Sequence, residues 1–197
     1  MIALLDYGAG NVGSVLKAVE YLGFPSQIVA SPEELEKADK IILPGQGHFG
    51  SMQKAMEERG LLAALRRKIA GGTPYLGICL GLQVLYEASE EAPGVEGLGL
   101  LRGTVTRFRI LEKVPQIGWN HVQIRSGGKL FQGIADGSFA YYCHSYYGPV
   151  VPDAVAVTEY GETYASGIEK GNVSAVQFHP EKSGEVGLSV LRNFLEL

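Results

Sequence analysis

The chain has 197 residues, a length that suits one domain or two small ones, with 46% hydrophobic and 19% charged residues. This balance excludes a disordered protein. The formal net charge of −4 excludes a general attraction to nucleic acid or to anionic membranes, although it leaves a local basic patch open.

The N-terminus predicts no secretory signal, because Asp6 ends the apolar run at 2–5 before a signal core is complete. No apolar stretch approaches the roughly 20 residues that cross a bilayer. The two cysteines, Cys79 and Cys143, are too few for a disulfide framework. We therefore expect a cytoplasmic protein, folded as one domain over residues 1–197, with no membrane or nucleic-acid partner.

Strand and helix patterns alternate over the first half of the chain. Apolar runs predict strands at 2–5, 27–30, 40–43 and 74–78. Helical spacing predicts helices at 12–22, at 49–70 with a break near Gly60, and at 80–89, while Ser31 and Pro32 predict a further helix start. This order predicts an α/β fold with an open, mostly parallel twisted sheet and helices on both faces, as in flavodoxin-like folds.

The chain beyond Pro93 has a different character, with β-rich segments separated by glycines. Strands are predicted at 101–108, 116–124, 139–147, 155–160, 163–168 and 173–178. We expect these strands to add antiparallel hairpins to the sheet. A last helix is predicted at 184–197, with Val186, Val190, Leu191 and Phe194 on its apolar face.

Cys79 lies in a motif that has the form of a nucleophile elbow. Gly77-Ile78-Cys79-Leu80-Gly81 joins a predicted strand to a predicted helix, with glycines two residues before and two residues after the cysteine. The helix N-terminus favours the thiolate form of such a cysteine. The alternative is a buried cysteine that acts as a small hydrophobe. This motif alone leaves both interpretations open.

His179-Pro180-Glu181 supplies the base that such a nucleophile needs. It follows an apolar strand, and strand ends of an open α/β sheet line the ligand crevice. His179 can take the thiol proton and return it to the leaving amine, while Glu181 fixes the imidazole tautomer. A solvated histidine in a turn is the alternative, which the presence of the elbow disfavours.

The loop Pro44-Gly45-Gln46-Gly47 follows a strand predicted to neighbour the elbow strand. Its backbone N–H groups, together with that of Leu80, can stabilise a developing oxyanion. An ordinary βα turn is the alternative explanation of this loop.

Two other patterns compete with this site. Residues 8–13 match a dinucleotide-binding glycine pattern, but the acid expected about 20 residues further on is replaced by Ala30-Ser31-Pro32. A tight turn that presents Asn11 is favoured instead. Cys143-His144 is a rival nucleophile pair, but neighbouring strand residues point to opposite faces. Cys143, among four tyrosines, is expected in the core.

No cysteine or histidine spacing in the sequence indicates a zinc site. We therefore expect neither a metal nor a cofactor.

The motifs at 77–83 (Gly-Ile-Cys-Leu-Gly-Leu-Gln) and 179–181 resemble the class I glutamine amidotransferases, which hydrolyse glutamine to glutamate and ammonia through a γ-glutamyl thioester. Further segments are similar to the glutaminase subunits of imidazole glycerol phosphate synthase, of histidine biosynthesis. They are Asp-Tyr-Gly-Ala-Gly-Asn at 6–11, Leu-Pro-Gly-Gln-Gly at 43–47, Ile-Gly-Trp-Asn at 117–120, His-Ser-Tyr at 144–146 and Gln-Phe-His-Pro-Glu-Lys-Ser at 177–183. The resemblance covers essentially the whole chain.

The resemblance implies a role for each matching residue. Cys79, His179 and Glu181 form the triad, and Gly45, Gln46, Gly47 and Leu80 the oxyanion site. Gln83 holds substrate glutamine, with backbone contacts from Ser145 and Tyr146 and the Glu91 carboxylate near the substrate amino group. Asn11, Trp119, Tyr141 and Lys182 face the synthase subunit, a (β/α)8 barrel in a heterodimer. Gln46 and Cys143 depart from the family pattern, where apolar residues are usual.

Other functions remain open at this point. The chain can be the glutaminase of another pathway, such as pyridoxal phosphate synthesis, although the segments at 6–11 and 117–120 speak against it. It can also be a stand-alone γ-glutamyl or peptide hydrolase, or a non-catalytic flavodoxin-like binding module. Trp119 can be a partner anchor, which we favour, or a core residue.

Overall fold

The computed structural model describes residues 1–125 and 128–197. The strands are β1 (Ile2–Leu5), β2 (Ser26–Val29), β3 (Lys40–Gly45), β4 (Tyr75–Cys79), β5 (Tyr86–Ser89), β6 (Leu101–Arg107), β7 (Gln116–Ile124), β8 (Ser138–His144), β9 (Tyr146–Tyr147), β10 (Ala154–Tyr160), β11 (Glu162–Lys170) and β12 (Val173–Val176). The α-helices are α1 (Val12–Tyr21), α2 (Pro32–Leu35), α3 (Phe49–Glu58), α4 (Leu61–Ala70), α5 (Leu80–Gln83) and α6 (Gly184–Glu196).

The main sheet has a parallel half and an antiparallel half. Its strand order is β2-β1-β3-β4-β12-β11-β10-β7-β8. The first five strands pair in parallel, and the pairings from β12 to β8 are antiparallel. The order of the parallel half is that of flavodoxin-like folds, so the predicted fold class is confirmed.

Helices cover both faces of this sheet because their apolar residues recur at helical spacing. On one face, α1 and α6 bury residues such as Val15, Val19 and Phe194 against the strands. On the other face, α3 and α4 bury residues such as Met52 and Leu65. No helix in the described part of the chain is long and apolar enough to span a bilayer.

The prediction of a helix at 80–89 is wrong beyond the first helical turn. α5 ends at Gln83, and the chain then forms β5, which pairs in parallel with β6. Val84, Leu85 and Tyr86 are fully buried, and their carbonyl oxygens accept hydrogen bonds from the N–H groups of residues 98–101. A short run that is apolar throughout has neither a helical nor a strand period, so tertiary pairing decides its structure.

The strands predicted at 101–108 and 139–147 also differ from expectation. β6 does not join the main sheet but forms a smaller one with the order β5-β6-β9. The predicted strand 139–147 divides at Ser145, whose carbonyl accepts from the Phe108 N–H at 3.1 Å. The backbone thereby leaves β8 and passes to β6, which brings Ser145 and Tyr146 beside α5.

The carboxyl ends of the parallel strands meet at one edge of the sheet. Gly45 at the end of β3 is the register partner of Cys79 at the end of β4. On the other side, Val176 at the end of β12 pairs with Ile78. The loop after β3, the elbow and the segment that contains His179 therefore leave the sheet side by side.

Candidate active site

Cys79 sits in a strained turn between β4 and α5. Its φ and ψ are 55° and −107°, and it is the one non-glycine residue with positive φ in the described ranges 1–125 and 128–197. A Cβ on Gly77 would lie 2.3 Å from the Gly81 oxygen, and one on Gly81 would lie 2.2 Å from the Leu43 oxygen. Tyr75 donates its hydroxyl to the Gly81 carbonyl at 2.7 Å. The predicted elbow is therefore present, and its glycines are sterically required.

His179 and Glu181 form a buried pair beside the elbow. The imidazole Nδ1 and Glu181 Oε1 are 2.9 Å apart, and both side chains are almost completely buried. This bond leaves Nε2 as the ring atom available to a reacting group. Burial alone would lower the pKa of His179, but the negative charge of Cys79 and the hydrogen bond and charge of Glu181 raise it to about 10.

The charge of the pair follows from these contacts. Because the Cys79 charge is the first of the causes that raise the pKa of His179, an imidazolium at His179 and a thiolate at Cys79 stabilise each other. We expected a long helix after the elbow to contribute, but α5 is a single turn and its dipole is correspondingly small. His179 is the cationic partner that the geometry offers to a thiolate.

The loop after β3 is held by a side chain that the sequence analysis did not single out. The Tyr7 hydroxyl accepts from the Gln46 N–H at 3.2 Å and lies 3.1 Å from the Gln46 carbonyl, to which it can donate. Burial raises the pKa of Tyr7, so it stays a neutral phenol. In this arrangement the Gln46 N–H is directed to Tyr7. The position of Tyr7, two residues after the end of β1, was the available signal, since that strand end also reaches the crevice.

A small pocket with a volume of about 260 Å³ joins these parts. Cys79, His179, Gln46, Gly47 and Leu80 line it on the side of the triad and the loop. Gln83, Ser145, Tyr146, His144, Cys143 and Lys182 line the rest. A pocket of this size suits a small polar metabolite.

All four predicted substrate contacts, Gln83, Glu91, Ser145 and Tyr146, have a polar group engaged within the protein. The Tyr146 carbonyl accepts from Gln83 Nε2 at 2.8 Å and from His144 Nδ1 at 2.8 Å. Glu91 does not line the pocket, and its Oε2 accepts from the Phe49 N–H at 2.7 Å, at the start of α3. The role predicted for Glu91 therefore requires its carboxylate to turn from that helix.

Cys143 is not a core residue, and that prediction was wrong. It is exposed and lines the pocket, whereas its neighbours Tyr142 and His144 are buried. The expected alternation along β8 is confirmed, but the register with β7 turns Cys143 outward, opposite Ile117.

The outward side of the β7–β8 hairpin forms an exposed, largely apolar surface next to the pocket. Its cross-strand pairs are Ile117 with Cys143, Trp119 with Tyr141, and His121 with Phe139, and we call these six residues the outer hairpin face. Ile117, Trp119 and Phe139 are 60%, 57% and 50% exposed. Trp119 is therefore not a core residue, which removes that alternative.

Of the other residues predicted at an interface, Tyr141 belongs to this surface and Lys182 contacts it. The Trp119 and Tyr141 rings pack edge to face with centroids 6.1 Å apart, and Lys182 Nζ lies 5.8 Å from the centroid of the Tyr141 ring. Asn11 precedes α1, and its Oδ1 accepts from the Ser14 hydroxyl at 2.8 Å. α1 in turn contacts the short 3₁₀ turn Pro180–Lys182.

The sequence has many relatives. The model of the family described as glutamine amidotransferase class-I matches residues 3–197. The protein named imidazole glycerol phosphate synthase subunit HisH in Methanocaldococcus jannaschii is 49% identical over 201 residues, which cover 100% of both chains. The protein of that name in Thermus thermophilus is 48% identical, over 95% of this chain and 93% of the relative. The one in Bacillus cereus is 44% identical, over 98% and 93%.

Solved structures agree with the architecture. A structure described as a glutamine amidotransferase superposes with a TM-score of 0.78 at 21% identity, covering 99% of this chain and 97% of that chain. PurLQS from Thermotoga maritima superposes with a TM-score of 0.75 at 21% identity and the same coverage. At this identity the likeness concerns the fold alone.

Proposed function

Because the chain belongs to the class-I glutamine amidotransferase family, we propose that it hydrolyses glutamine to glutamate and ammonia as the glutaminase subunit of imidazole glycerol phosphate synthase. The names of its relatives support this pathway over other glutaminases. One observation carries the chemistry: a cysteine on a strained elbow shares a pocket with a histidine that is hydrogen-bonded to a buried carboxylate.

The first half of the reaction forms a thioester. The Cys79 thiolate attacks the γ-carbonyl carbon of glutamine, and the carbonyl oxygen becomes an oxyanion. Backbone N–H groups of the loop after β3 and of Leu80 stabilise that charge. When the intermediate collapses, the carbon–nitrogen bond breaks and His179 gives its proton to the departing amine, which leaves as ammonia.

The second half releases glutamate. His179, now neutral, takes a proton from water, whose oxygen attacks the thioester carbon. Collapse breaks the carbon–sulfur bond and returns Cys79 to the thiolate, with His179 again an imidazolium. Glu181 keeps the ring in one orientation and supports its charge through both steps, as the bond of 2.9 Å allows.

We propose that the outer hairpin face, together with Asn11 and Lys182, docks a (β/α)8 synthase subunit to form a cytoplasmic heterodimer. Three large apolar side chains are exposed there, and Trp and Tyr are frequent interface hot spots. Cys143 and Lys182 belong to both the pocket lining and this surface. A partner seated here would receive ammonia close to where it forms, for reaction with a phosphoribulosyl-formimino carboxamide ribotide. The products would be imidazole glycerol phosphate and an aminoimidazole carboxamide ribotide.

We also propose that the partner controls the reaction through the loop after β3. The Gln46 N–H is bound to the Tyr7 hydroxyl, so it is not free to stabilise an oxyanion. A rotation of the peptide between Gly45 and Gln46 would redirect it. One oxyanion donor is worth on the order of a hundredfold in rate, which is sufficient for a switch. Docking of the partner and its ligand would favour the rotated state.

The proposal is tested by comparing glutamine with free ammonia as the nitrogen source in the assembled complex. Cys79→Ala should abolish synthesis from glutamine and keep synthesis from ammonia, whereas Cys143→Ala should keep both. Glutamine turnover by Cys79→Ala would overturn the assignment. A wild-type chain that is fully active without its partner would instead favour the stand-alone hydrolase.

A further inference from the structure

Gln177 lies directly after β12 and is fully buried. Its side chain contacts two residues of the site. Its Nε2 donates to the Cys79 sulfur at 3.5 Å, and its Oε1 accepts from Gln83 Nε2 at 3.1 Å. One amide therefore bridges the nucleophile and the side chain assigned to hold the substrate.

The orientation of the two side-chain amides, Gln177 and Gln83, is fixed because the group at each end of the bridge can only accept hydrogen bonds. At one end the Tyr146 carbonyl oxygen accepts hydrogen bonds from Gln83 Nε2 and His144 Nδ1, and these two bonds use both lone pairs of the oxygen. At the other end a Cys79 thiolate can only accept. If Gln177 were turned over, its oxygen would face the sulfur and its NH₂ group would face that of Gln83. The observed orientation is the one that gives both N–H groups of Gln83, the Gln177 oxygen and the Cys79 sulfur a partner.

His144 contributes to this network as a neutral ring. Burial lowers the pKa of His144 to about 4, and the nearby charge of His179 acts in the same direction. The proton of the neutral ring is on Nδ1, because the Tyr146 carbonyl accepts there. The network thus places no positive charge next to Gln83.

The bridge determines what Gln83 can recognise. Its two N–H groups are used by the Tyr146 carbonyl and by Gln177, which leaves Oε1 as its free polar atom. An amide oxygen accepts hydrogen bonds and cannot donate them. Its ligand must therefore offer an N–H or O–H group, and glutamine offers N–H groups in both its ammonium and its carboxamide.

We propose that Gln177 is a positioning residue that holds the Cys79 sulfur and, with the same amide, locks Gln83 with its oxygen directed to an N–H group of the substrate. This inference rests on the proposed function. The nucleophile and the substrate contact are then not independent: losing one amide disturbs both, whereas an amide that only fills the core would affect neither.

The test uses three variants in the assembled complex. Gln177→Leu removes both side-chain hydrogen bonds and keeps an apolar side chain of similar size. Gln83→Leu removes the proposed contact with the substrate and keeps the hydrogen bond from Gln177 to the Cys79 sulfur. Gln53→Leu is the matched control, since Gln53 is also buried but donates to the Glu96 carbonyl, away from the pocket. Each variant is measured for KM and kcat with glutamine, and for the pH midpoint of Cys79 alkylation by iodoacetamide, followed on the Cys79 peptide by mass spectrometry.

Gln177→Leu should raise KM about tenfold, the value of one lost hydrogen bond in a buried site. It should also move the alkylation midpoint up by about one pH unit, because the thiolate loses a charge-assisted donor. Gln83→Leu should raise KM and leave the alkylation midpoint nearly in place. Gln53→Leu should change neither quantity.

Both shifts are required of Gln177→Leu. If either quantity stays at the value of Gln53→Leu in a variant that folds, the proposal is overturned, and a lowered thermal unfolding midpoint alone would make Gln177 a core residue. Different results would refute the proposed function and the proposed role of Gln177. A wild-type complex that does not turn over glutamine refutes the proposed function, while alkylation of Cys79 still reports on the contact with Gln177.

Discussion

The two loops that form the reaction centre are packed in opposite ways. In the elbow, a Cβ on Gly77 or Gly81 would lie 2.3 Å or less from backbone oxygen, so the turn has no room to change. In the loop after β3, Gly47 has a φ of +95°, and its added Cβ would meet no atom of residues 1–125 and 128–197 within 4 Å. The nucleophile and the Leu80 N–H are therefore held in place, while the loop after β3 has free space around Gly47.

This difference indicates where control can act. A cysteine in a strained, tightly packed turn keeps one position whether or not a partner is present. A loop held by the hydrogen bonds of one tyrosine can exchange them for others at small cost. We therefore expect substitutions in the elbow to destroy activity, and substitutions in the loop to change its dependence on the partner.

The largest effect is expected from Gly77→Ala. Its Cβ meets backbone atoms that cannot move without opening the elbow, so glutamine turnover should be lost and thermal unfolding should occur several degrees lower. Gly47→Ala meets no neighbour in the described part of the chain, and should stay folded at a cost of about 1–2 kcal/mol for its backbone angle. Stimulation by the partner should then be blunted. Normal activity in Gly77→Ala would contradict the rigid elbow.

Gly45→Ala is a poor probe of the loop. Its Cβ would lie 2.7 Å from both the Gly81 nitrogen and the Leu80 Cβ, so it would disturb the elbow as well. A loss of activity in Gly45→Ala would therefore not show whether the loop after β3 or the elbow was affected.

Glu181→Gln should lower kcat by about 10²–10⁴-fold, because the substituted amide no longer supports the imidazolium. The pH profile gives a sharper result. In the free enzyme, where the Cys79 charge contributes, the pKa of His179 is raised to about 10, so kcat/KM should fall only as the pH rises through about 10. Removing the Glu181 charge lowers that pKa, which should move the alkaline limit to lower pH. An unchanged limit would mean that Glu181 does not act on His179.

Trp119→Ala tests whether the outer hairpin face stabilises the fold of this chain or binds the synthase subunit. The side chain is 57% exposed, so its loss should leave thermal unfolding of the chain unchanged. Association with the synthase subunit should weaken about 30-fold, or about 2 kcal/mol, as for an interface hot spot. Titration calorimetry of the two subunits measures this, with Tyr21→Ala as an exposed aromatic control on α1. Equal affinities for both variants would place the interface elsewhere.

The smallest effect is expected from Tyr7→Phe. Without the hydroxyl, the Gln46 N–H loses its present acceptor, so the isolated chain should hydrolyse glutamine about tenfold faster. Stimulation by the partner should fall by a similar factor. Tyr160→Phe is the control, because its hydroxyl also bonds a backbone carbonyl, that of Lys113. An isolated Tyr7→Phe chain that is no faster than the control would argue against the loop as the switch.

Much of this architecture follows from local patterns in the sequence. Four strands of the parallel half, β1 to β4, were predicted because they are short apolar runs between helices with a clear period, and glycines at fixed offsets marked the elbow. β12 was expected only in an antiparallel hairpin, and its parallel pairing with β4 was not predicted. The structure of 84–89 was not predicted, because Val84, Leu85 and Tyr86 are apolar throughout and only pairing with a later segment decides it. The exposure of Cys143 likewise depends on the register between β7 and β8.

The contacts of Tyr7 and Gln177 could not be found in the same way. Tyr7 meets Gln46 across 39 positions, and Gln177 meets Cys79 across 98. The local sequence around Tyr7 or Gln177 does not indicate which distant residue it contacts. Such contacts follow from the order of the strands in the sheet, which brings four strand ends to one edge.

The proposed glutaminase reaction requires Cys79 as the nucleophile that attacks glutamine, and an irreversible substrate analogue tests this most directly. The assembled complex is incubated with a diazoketone analogue of glutamine, and the labelled peptide is identified by mass spectrometry. We predict one label per chain, on Cys79, with glutamine turnover lost in proportion and synthesis from ammonia retained. A label on the exposed Cys143, or full labelling of Cys79 with glutamine turnover intact, would contradict the account.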